Sequence, residues 1–175
     1  MNIDILKVGV LKTNCYIVYD EGKCLIIDPG DEENFIVSRI KRLNLTPVAI
    51  LITHNHPDHN GVAKPLSSIY NIPIYDYHNL FEQMHYVEPF KFKVIYTPGH
   101  TEDSLCIYFD EYKIMFTGDF IFHEDIGRTD LAFGDHKKML KSIEKIKEYD
   151  DEIVIFPGHD KKTTLGHEKE HNPYF

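Results

Sequence analysis

The first 28 residues contain three short runs that are rich in apolar and β-branched side chains. The runs cover residues 3–10, 13–19 and 24–28, and turn-forming residues such as Asp-Glu-Gly at 20–22 separate them. Short β-rich runs bounded by turn residues predict strands that follow one another directly along the chain. We therefore expect the chain to begin with a meander of three strands.

Helical and strand patterns alternate in the next segment. Residues 31–43 predict a helix with Asp31 as its N-cap, because Phe35, Ile36, Ile40 and Leu43 recur on one face. The almost wholly apolar run 48–53 predicts a strand that is covered on both faces. Three further elements are predicted: a helix at 60–70 with a proline inside it, a strand at 72–75 and a short helix at 77–85.

The second half of the chain repeats this order. Residues 90–97, 104–109 and 113–117 predict strands, and residues 135–148 form an amphipathic helix pattern. A last buried strand follows at 153–156, and the polar tail from Thr163 has room for a short helix. Periodicity alone indicates a mixed α/β (α+β) protein. Two similar halves, each a sheet with helices outside, further predict a four-layer αββα sandwich in one domain over residues 1–175.

Charge and composition exclude several classes of function. The chain has 28 acidic and 19 basic residues and a net charge of −9, which disfavours a nucleic-acid partner. No apolar run reaches the roughly 18 residues of a membrane span, and the N-terminus lacks a signal-peptide pattern. Cys15, Cys24 and Cys106 all lie in apolar runs without a C-x-x-C pair, so we expect free buried thiols. We expect a cytoplasmic protein without a membrane partner.

Histidine is the unusual residue type, and five of the 11 histidines fall in tight motifs. The densest motif, Thr-His-Asn-His-Pro-Asp-His at 53–59, follows a predicted strand directly. Alternate residues of an extended strand share a face, so His54 and His56 can point to one side. The turn at Pro57 can then aim Asp58 and His59 at a second point nearby. Imidazole nitrogens and carboxylate oxygens are suitable ligands for zinc, iron or manganese.

Three other fragments each combine a strand, a small-residue turn and a ligand. They are Thr-Pro-Gly-His at 97–100, Thr-Gly-Asp at 117–119 and Pro-Gly-His at 157–159. Glycine permits a sharp turn at a strand's end, so each ligand can project from the same sheet edge. Seven candidate ligands fit two metal ions with three ligands each and one bridging carboxylate. The candidates are His54, His56, Asp58, His59, His100, Asp119 and His159.

In this order, the motifs resemble the signature of the metallo-β-lactamase superfamily. Ile-Asp-Pro-Gly at 27–30 is similar to a further motif of that family. Ile-Gly-Arg-Thr-Asp-Leu at 126–131 resembles the small glyoxalase II-like hydrolases, as do Gly-His-Glu at 166–168 and Asn-Pro at 172–173. The resemblance implies the metallo-β-lactamase sandwich without the C-terminal helical domain of larger glyoxalase II enzymes. It also implies that His54, His56 and His100 hold one metal ion, that Asp58, His59 and His159 hold the other, and that Asp119 bridges them.

Four residues outside the ligand set are candidates for supporting roles. Asp28 ends an apolar strand and is a candidate hydrogen-bond partner of a ligand histidine. Thr53 and Thr101 flank ligands, where they either orient them or make ordinary turn contacts. Arg128 is the candidate for a charge facing the substrate, since guanidinium can clamp a carboxylate, and the alternative is a salt bridge to Asp130. We expect most of the six remaining histidines at the surface.

The predicted reaction is metal-dependent hydrolysis of a small acyl thiol, S-lactoylglutathione or a similar thioester. Zinc is the expected metal in both positions, with iron and manganese as alternatives. A mononuclear-iron persulfide dioxygenase is the main rival, and the resemblance implies His54, His100 and Asp119 as its ligands. β-Lactam hydrolysis and a non-catalytic metal-binding module are lesser alternatives. Substrate, native metal and oligomeric state stay open.

Overall fold

The computed structural model describes all of residues 1–175 and contains two large β-sheets. The first sheet has the strand order β1-β2-β3-β4-β5. The chain enters through the predicted antiparallel meander, and β3, β4 and β5 then run parallel. Its strands are β1 (Asn2–Val8), β2 (Thr13–Asp20), β3 (Lys23–Ile27), β4 (Thr46–Leu51) and β5 (Ile74–Tyr75).

The second sheet has six strands in the order β13-β12-β9-β8-β7-β6. Its strands are β6 (Met84–Val87), β7 (Phe90–Tyr96), β8 (Leu105–Phe109), β9 (Ile114–Gly118), β12 (Val154–Pro157) and β13 (Thr163–Thr164). Only β9 and β12 are parallel neighbours. A separate two-stranded hairpin, β10 (Ile121–Phe122) and β11 (Asp125–Ile126), follows β9.

Five helices cover the outer faces of the sheets or connect their strands. They are α1 (Glu33–Arg42), α2 (Pro57–Asn60), α3 (Ala63–Tyr70), α4 (His136–Lys147) and α5 (Leu165–His171). None of them is long and apolar enough to span a membrane.

Three apolar cores show that the layers are stacked as helix, sheet, sheet and helix. The central core lies between the sheets and joins Leu25 and Leu51 of the first to Phe92 and Phe116 of the second. A second core packs α1 and α3 on the first sheet, and a third packs α4 on the second. Burying apolar faces on both sides of each sheet stabilises this arrangement. The predicted αββα sandwich is confirmed.

Several local predictions differ from the structure. The short helix predicted at 77–85 is wrong, because the side chains of Asp76 and Asn79 form a local turn and β6 begins at Met84. Asp31 does not cap α1 in the predicted way. Its carboxylate accepts from the Glu32 N–H, and Glu32 precedes the helix in a left-handed conformation with a φ of 57°. Pro65 is tolerated because it lies in the first turn of α3, where backbone N–H groups need no helical partner.

The predicted cysteine state is confirmed. Cys15, Cys24 and Cys106 are free and fully buried. Burial raises the pKa of each thiol, to about 12 for both Cys24 and Cys106. All three side chains therefore act as small apolar residues of the two outer cores.

Candidate metal centre

All seven predicted ligands meet at one edge of the two sheets. His54 and His56 follow β4, His100 follows β7, Asp119 follows β9 and His159 follows β12. Parallel pairing of β9 and β12 brings Asp119 and His159 together, because Pro157 of β12 lies beside Gly118 of β9. The next residues along both strands therefore leave the sheet together. Asp58 and His59 join the cluster from the single turn of α2.

Two glycines let the backbone approach the cluster closely. A Cβ atom on Gly158 would lie 2.2 Å from Asp119 Oδ1, and one on Gly30 would lie 1.6 Å from the Asp58 carbonyl oxygen. Neither position has room for a side chain. The glycine in the Pro-Gly-His motif at 157–159 thus serves the packing of the cluster as well as the turn.

The seven side chains form two groups, and Asp119 of the first also lies next to the second. His54, His56, His100 and Asp119 form the first group, and within it all ligand atoms lie within 4.8 Å of one another. Asp58, His59 and His159 form the second group by the same measure. Asp119 touches both groups, since its Oδ1 lies 3.2 Å from His59 Nε2 and its Oδ2 lies 3.5 Å from His100 Nε2. This partition coincides with the predicted assignment of ligands to two ions, which itself stays a prediction.

The ring nitrogens and carboxylate oxygens of the cluster lie close together, but some of them have no hydrogen-bond partner. His56 Nδ1 lies 3.1 Å from His54 Nε2 and 3.0 Å from His100 Nε2. The buried atoms His59 Nε2 and Asp119 Oδ1 have no hydrogen-bond partner. Leaving buried polar atoms unpaired costs free energy, and a cation shared by several of them would remove that cost. The donor set therefore fits metal ions.

The electrostatic environment of the histidines also favours cations. Burial, followed by the neighbouring histidines, lowers the pKa of His54, so its imidazole stays neutral and keeps a lone pair for a ligand bond. Burial also lowers the pKa of His59, but the carboxylates of Asp28 and Asp119 outweigh it and raise that pKa to about 10. Carboxylates that stabilise a proton at this position stabilise a metal cation for the same reason.

Asp28 lies behind the cluster and holds it in place. Its carboxylate accepts from the Thr53 N–H (2.8 Å) and the Thr53 hydroxyl (2.6 Å), and Oδ2 lies 2.9 Å from His59 Nδ1. Thr53 Oγ1 in turn lies 3.1 Å from His54 Nδ1. Parallel pairing of β3 and β4 brings Asp28 to this position. The contacts place Asp28 and Thr53 where the predicted orienting role requires them.

For the other two candidate supporting residues, the structure shows the second of the two alternatives that the sequence left open. The Thr101 hydroxyl lies 2.7 Å from the Ser104 hydroxyl and touches no candidate ligand, which is a turn contact. The exposed Arg128 guanidinium makes two 2.9 Å hydrogen bonds to Asp130, which is the salt-bridge alternative. Its main chain does contact the cluster, because the Arg128 carbonyl oxygen lies 2.8 Å from His100 Nδ1.

Sequence reasoning missed three residues of β2 that hold the ligand loops. The Thr13 hydroxyl donates to Asp58 Oδ2 over 2.9 Å. Asn14 Nδ2 and the Tyr16 hydroxyl both donate to the Pro157 carbonyl oxygen, directly before the His159 turn. Only the buried polar Thr13 and Asn14 at the start of an otherwise apolar strand could have indicated such a role.

A cleft of about 930 Å³ opens beside His56. Tyr77, Leu131 and Phe133 give it an apolar wall, and Glu102 and Asp103 give it an acidic rim. The cleft is large enough for a small-molecule acyl group.

Comparison with known proteins decides the family. The model of the metallo-β-lactamase superfamily matches residues 8–92 and 85–159, a span that contains every candidate ligand. The chain belongs to the metallo-β-lactamase superfamily. Among curated proteins it is similar to hydroxyacylglutathione hydrolase GloC of Haemophilus influenzae, at 32% identity over 99% of this chain and 98% of that protein.

Solved structures of this superfamily closely match the fold. The BLEG-1 B3 metallo-β-lactamase has a TM-score of 0.95 and 32% identity, with 99% of both chains covered. TTHA1623 in a di-iron-bound form has a TM-score of 0.91 and 30% identity over 98% of this chain and 100% of that one. ETHE1 from Myxococcus xanthus also reaches 0.91, at 27% identity over 99% of this chain and 84% of that one. The cluster is typical of dinuclear sites in this superfamily.

Proposed function

We propose that this superfamily member hydrolyses small acyl thioesters with two divalent metal ions, zinc being the first candidate. The observation that carries the proposal is the pair of ligand groups with Asp119 between them. One ion would be held by His54, His56 and His100, and the other by Asp58, His59 and His159. Both ions would be held by Asp119. When bound, such ions supply Lewis acidity that activates water and polarises a carbonyl group.

Asp58 is the residue that orients the attacking water in this proposal. A hydrogen bond from His159, above all, lowers the pKa of the Asp58 carboxyl, so it is ionised at neutral pH. The Thr13 hydroxyl fixes Oδ2 from one side. An ionised, fixed carboxylate accepts a hydrogen bond from water and aims the oxygen lone pair at the substrate carbonyl.

The chemistry of the leaving group favours thioesters. Water adds to the carbonyl carbon, the C–S bond breaks, and the products are a carboxylic acid and a thiol. Thiols have pKa values near 8.5, so the sulfur can leave as thiolate without a strong general acid. An amine leaving group would need such an acid.

The lining of the cleft bears on the substrate class. Its apolar wall of Tyr77, Leu131 and Phe133 suits the carbon chain of an acyl group. The acidic rim is partly neutralised, since Lys138 Nζ lies 2.8 Å from Glu102 Oε1. Asp103 accepts hydrogen bonds only from Asn55. The similarity to hydroxyacylglutathione hydrolase GloC supports S-lactoylglutathione as the first substrate to test, with simpler acyl thiols beside it.

Persulfide oxidation is the second candidate reaction, because ETHE1 from Myxococcus xanthus matches the fold at 27% identity. A single iron would use His54, His100 and Asp119, which lie together in the first ligand group. The presence of the complete second group favours the dinuclear hydrolase. The match to BLEG-1 makes a β-lactam a necessary member of any substrate panel.

One experiment separates these reactions. We expect natively purified protein to hold two metal ions per chain by elemental analysis and to release thiol from S-lactoylglutathione or another thioester. We expect no oxygen consumption with glutathione persulfide and no more than slow cleavage of a chromogenic cephalosporin. One iron per chain with oxygen uptake would establish the dioxygenase instead. Two metal ions with no turnover of any substrate would indicate a non-catalytic module.

We further propose that the protein acts in the cytoplasm, because its three cysteines are free thiols, which a reducing compartment preserves.

A further inference from the structure

A second cluster of metal-ligating side chains lies apart from the central one. His123 and Glu124 form the turn between β10 and β11, and His167 faces them from α5. One ligand atom from each residue lies within 4.8 Å of the others. Glu124 Oε1 is 2.9 Å from His167 Nε2 and 3.6 Å from His123 Nε2. Two imidazole nitrogens therefore converge on one carboxylate oxygen.

The cluster is held from beneath by the buried Glu168. Its carboxylate accepts from the Glu124 N–H (2.8 Å), the Thr163 hydroxyl (2.6 Å) and Asn172 Nδ2 (2.8 Å). Asn172 Nδ2 also donates to the carbonyl oxygen of Asp125, the next residue of the turn. The tip of the hairpin is thus tied to α5, and the side chains of His123, Glu124 and His167 are brought to the same place.

The backbone at Glu124 gives an independent reason to look for a role. Its φ of 60° lies in the left-handed region, where turns favour glycine or asparagine. A glutamate there is less favourable for the turn itself, and its side chain brings the carboxylate into contact with both histidines. The rings of His123 and His167 stack with centroids 4.9 Å apart, and His171 packs on His167 at 4.5 Å.

We propose that His123, Glu124 and His167 bind a divalent transition-metal ion of the zinc class at a site separate from the central centre. Two neutral imidazoles and one carboxylate are a ligand set that zinc, copper and nickel accept. The side chains of His123, Glu124 and His167 are 24%, 48% and 33% exposed, so the ion can enter from solvent and keep water ligands. The inference is independent of the reaction catalysed at the central site.

An anion is the competing ligand. Lys161 and Lys162 line a groove of about 420 Å³ next to His123 and His167, and their charge attracts phosphate. The Glu124 carboxylate lies within 3.6 Å of Nε2 of both imidazoles, however, and would repel an anion placed there. The ammonium group of Lys162 also has a partner of its own, since its Nζ lies over the Phe156 ring, 5.8 Å from the ring centroid. The three convergent ligand atoms therefore favour the cation.

The test measures zinc bound per chain by equilibrium dialysis and elemental analysis of the full chain. We expect the His123→Ala/His167→Ala double variant to bind one zinc ion fewer than the parent protein. The matched control is His136→Ala, which removes an exposed histidine outside any cluster. We expect the control to bind the same number as the parent, whatever that number is.

A second variant keeps the proposal testable if the double variant is poorly folded. Glu124→Gln preserves side-chain size but removes the charge, and we expect zinc affinity at this site to fall at least about tenfold, since even outer partners of ligands contribute that much. Equal zinc content in all proteins would overturn the proposal, as would an equal loss in His136→Ala. Inorganic phosphate that protects the parent but not the double variant from unfolding, with no zinc difference, would assign the site to an anion.

Discussion

The central cluster and the outer cluster use the same residue types in different surroundings. His54, His59 and His100 are at most 4% exposed, and each ring has a second partner that orients it. In the outer cluster, His123, Glu124 and His167 are partly exposed, and Glu124 pairs with both histidines. Buried ligands without a cation leave polar atoms unsatisfied, whereas exposed ligands are hydrated by water. Because His59 Nε2 and Asp119 Oδ1 are buried without partners, we expect bound cations to stabilise the central cluster more than the outer cluster.

The largest effect should come from removing a central ligand. We expect Asp58→Ala to lower thioester turnover at least about 100-fold, because a ligand should contribute more than the outer partners that are worth 10–100-fold. The measurements are kcat and metal content of the same preparation. Asp110→Ala, at an exposed turn, is the matched control and should stay within about twofold. Near-normal turnover in Asp58→Ala would eliminate the dinuclear mechanism.

A smaller effect on metal affinity or turnover should come from Asp28, which lies behind the central cluster. We expect Asp28→Asn to lower metal affinity or turnover about 10- to 100-fold, because the amide loses one of the acceptor oxygens that Thr53 and His59 use. Asparagine tolerates the left-handed φ of 51° at this position, so the backbone is preserved.

Thr53→Ser and Thr53→Val form the matched pair for this prediction. Serine keeps the hydroxyl that donates to Asp28, and valine keeps only the shape. We expect valine, but not serine, to reproduce part of the Asp28→Asn loss. Unchanged metal affinity in Asp28→Asn would show that the central ligands are held without this carboxylate.

The smallest effect on the central site should come from the base of the outer cluster. We expect Glu168→Gln to lower the free energy of unfolding by about 1–3 kcal/mol, because a buried acceptor that serves three donors is replaced by a group with a donor of its own. Urea unfolding measures this change, and dialysis should show weaker zinc binding at the outer site only.

Glu170→Gln is the control for this substitution, since that exposed carboxylate faces only its neighbour His171. A parallel loss of central ions in Glu168→Gln would contradict the separation of the two clusters.

Prediction from sequence was strongest where local pattern decides structure. The three-strand meander, the helix near 135–148 and the apolar strand before His54 are all found within a few residues of the expected bounds. It failed at 77–85, where polar contacts of Asp76 and Asn79 favour a turn over the helix. The hairpin of β10 and β11 was not predicted, because two-residue strands have no usable periodicity.

The outer cluster is a functional candidate that local sequence patterns could not reveal. His123 and His167 are 44 positions apart, and although the segment 166–168 resembles the small glyoxalase II-like hydrolases, nothing in the sequence indicates that the two histidines meet. Only the packing of α5 against the hairpin makes them neighbours. The central ligands, by contrast, carry local signals, since four lie in the dense motif at 53–59 and three follow a strand and a glycine turn.

The sequence by itself determined the residue types available for metal binding, the strands that precede them and the family that shares this order. The tertiary structure decided which of these side chains meet, that Asp119 lies between two groups, that Asp28 braces them and that Arg128 pairs with Asp130. The physical reason is that ligand chemistry and strand propensity are local properties of the chain. Convergence at a sheet edge depends on strand pairing and layer packing between distant segments, which no local pattern records.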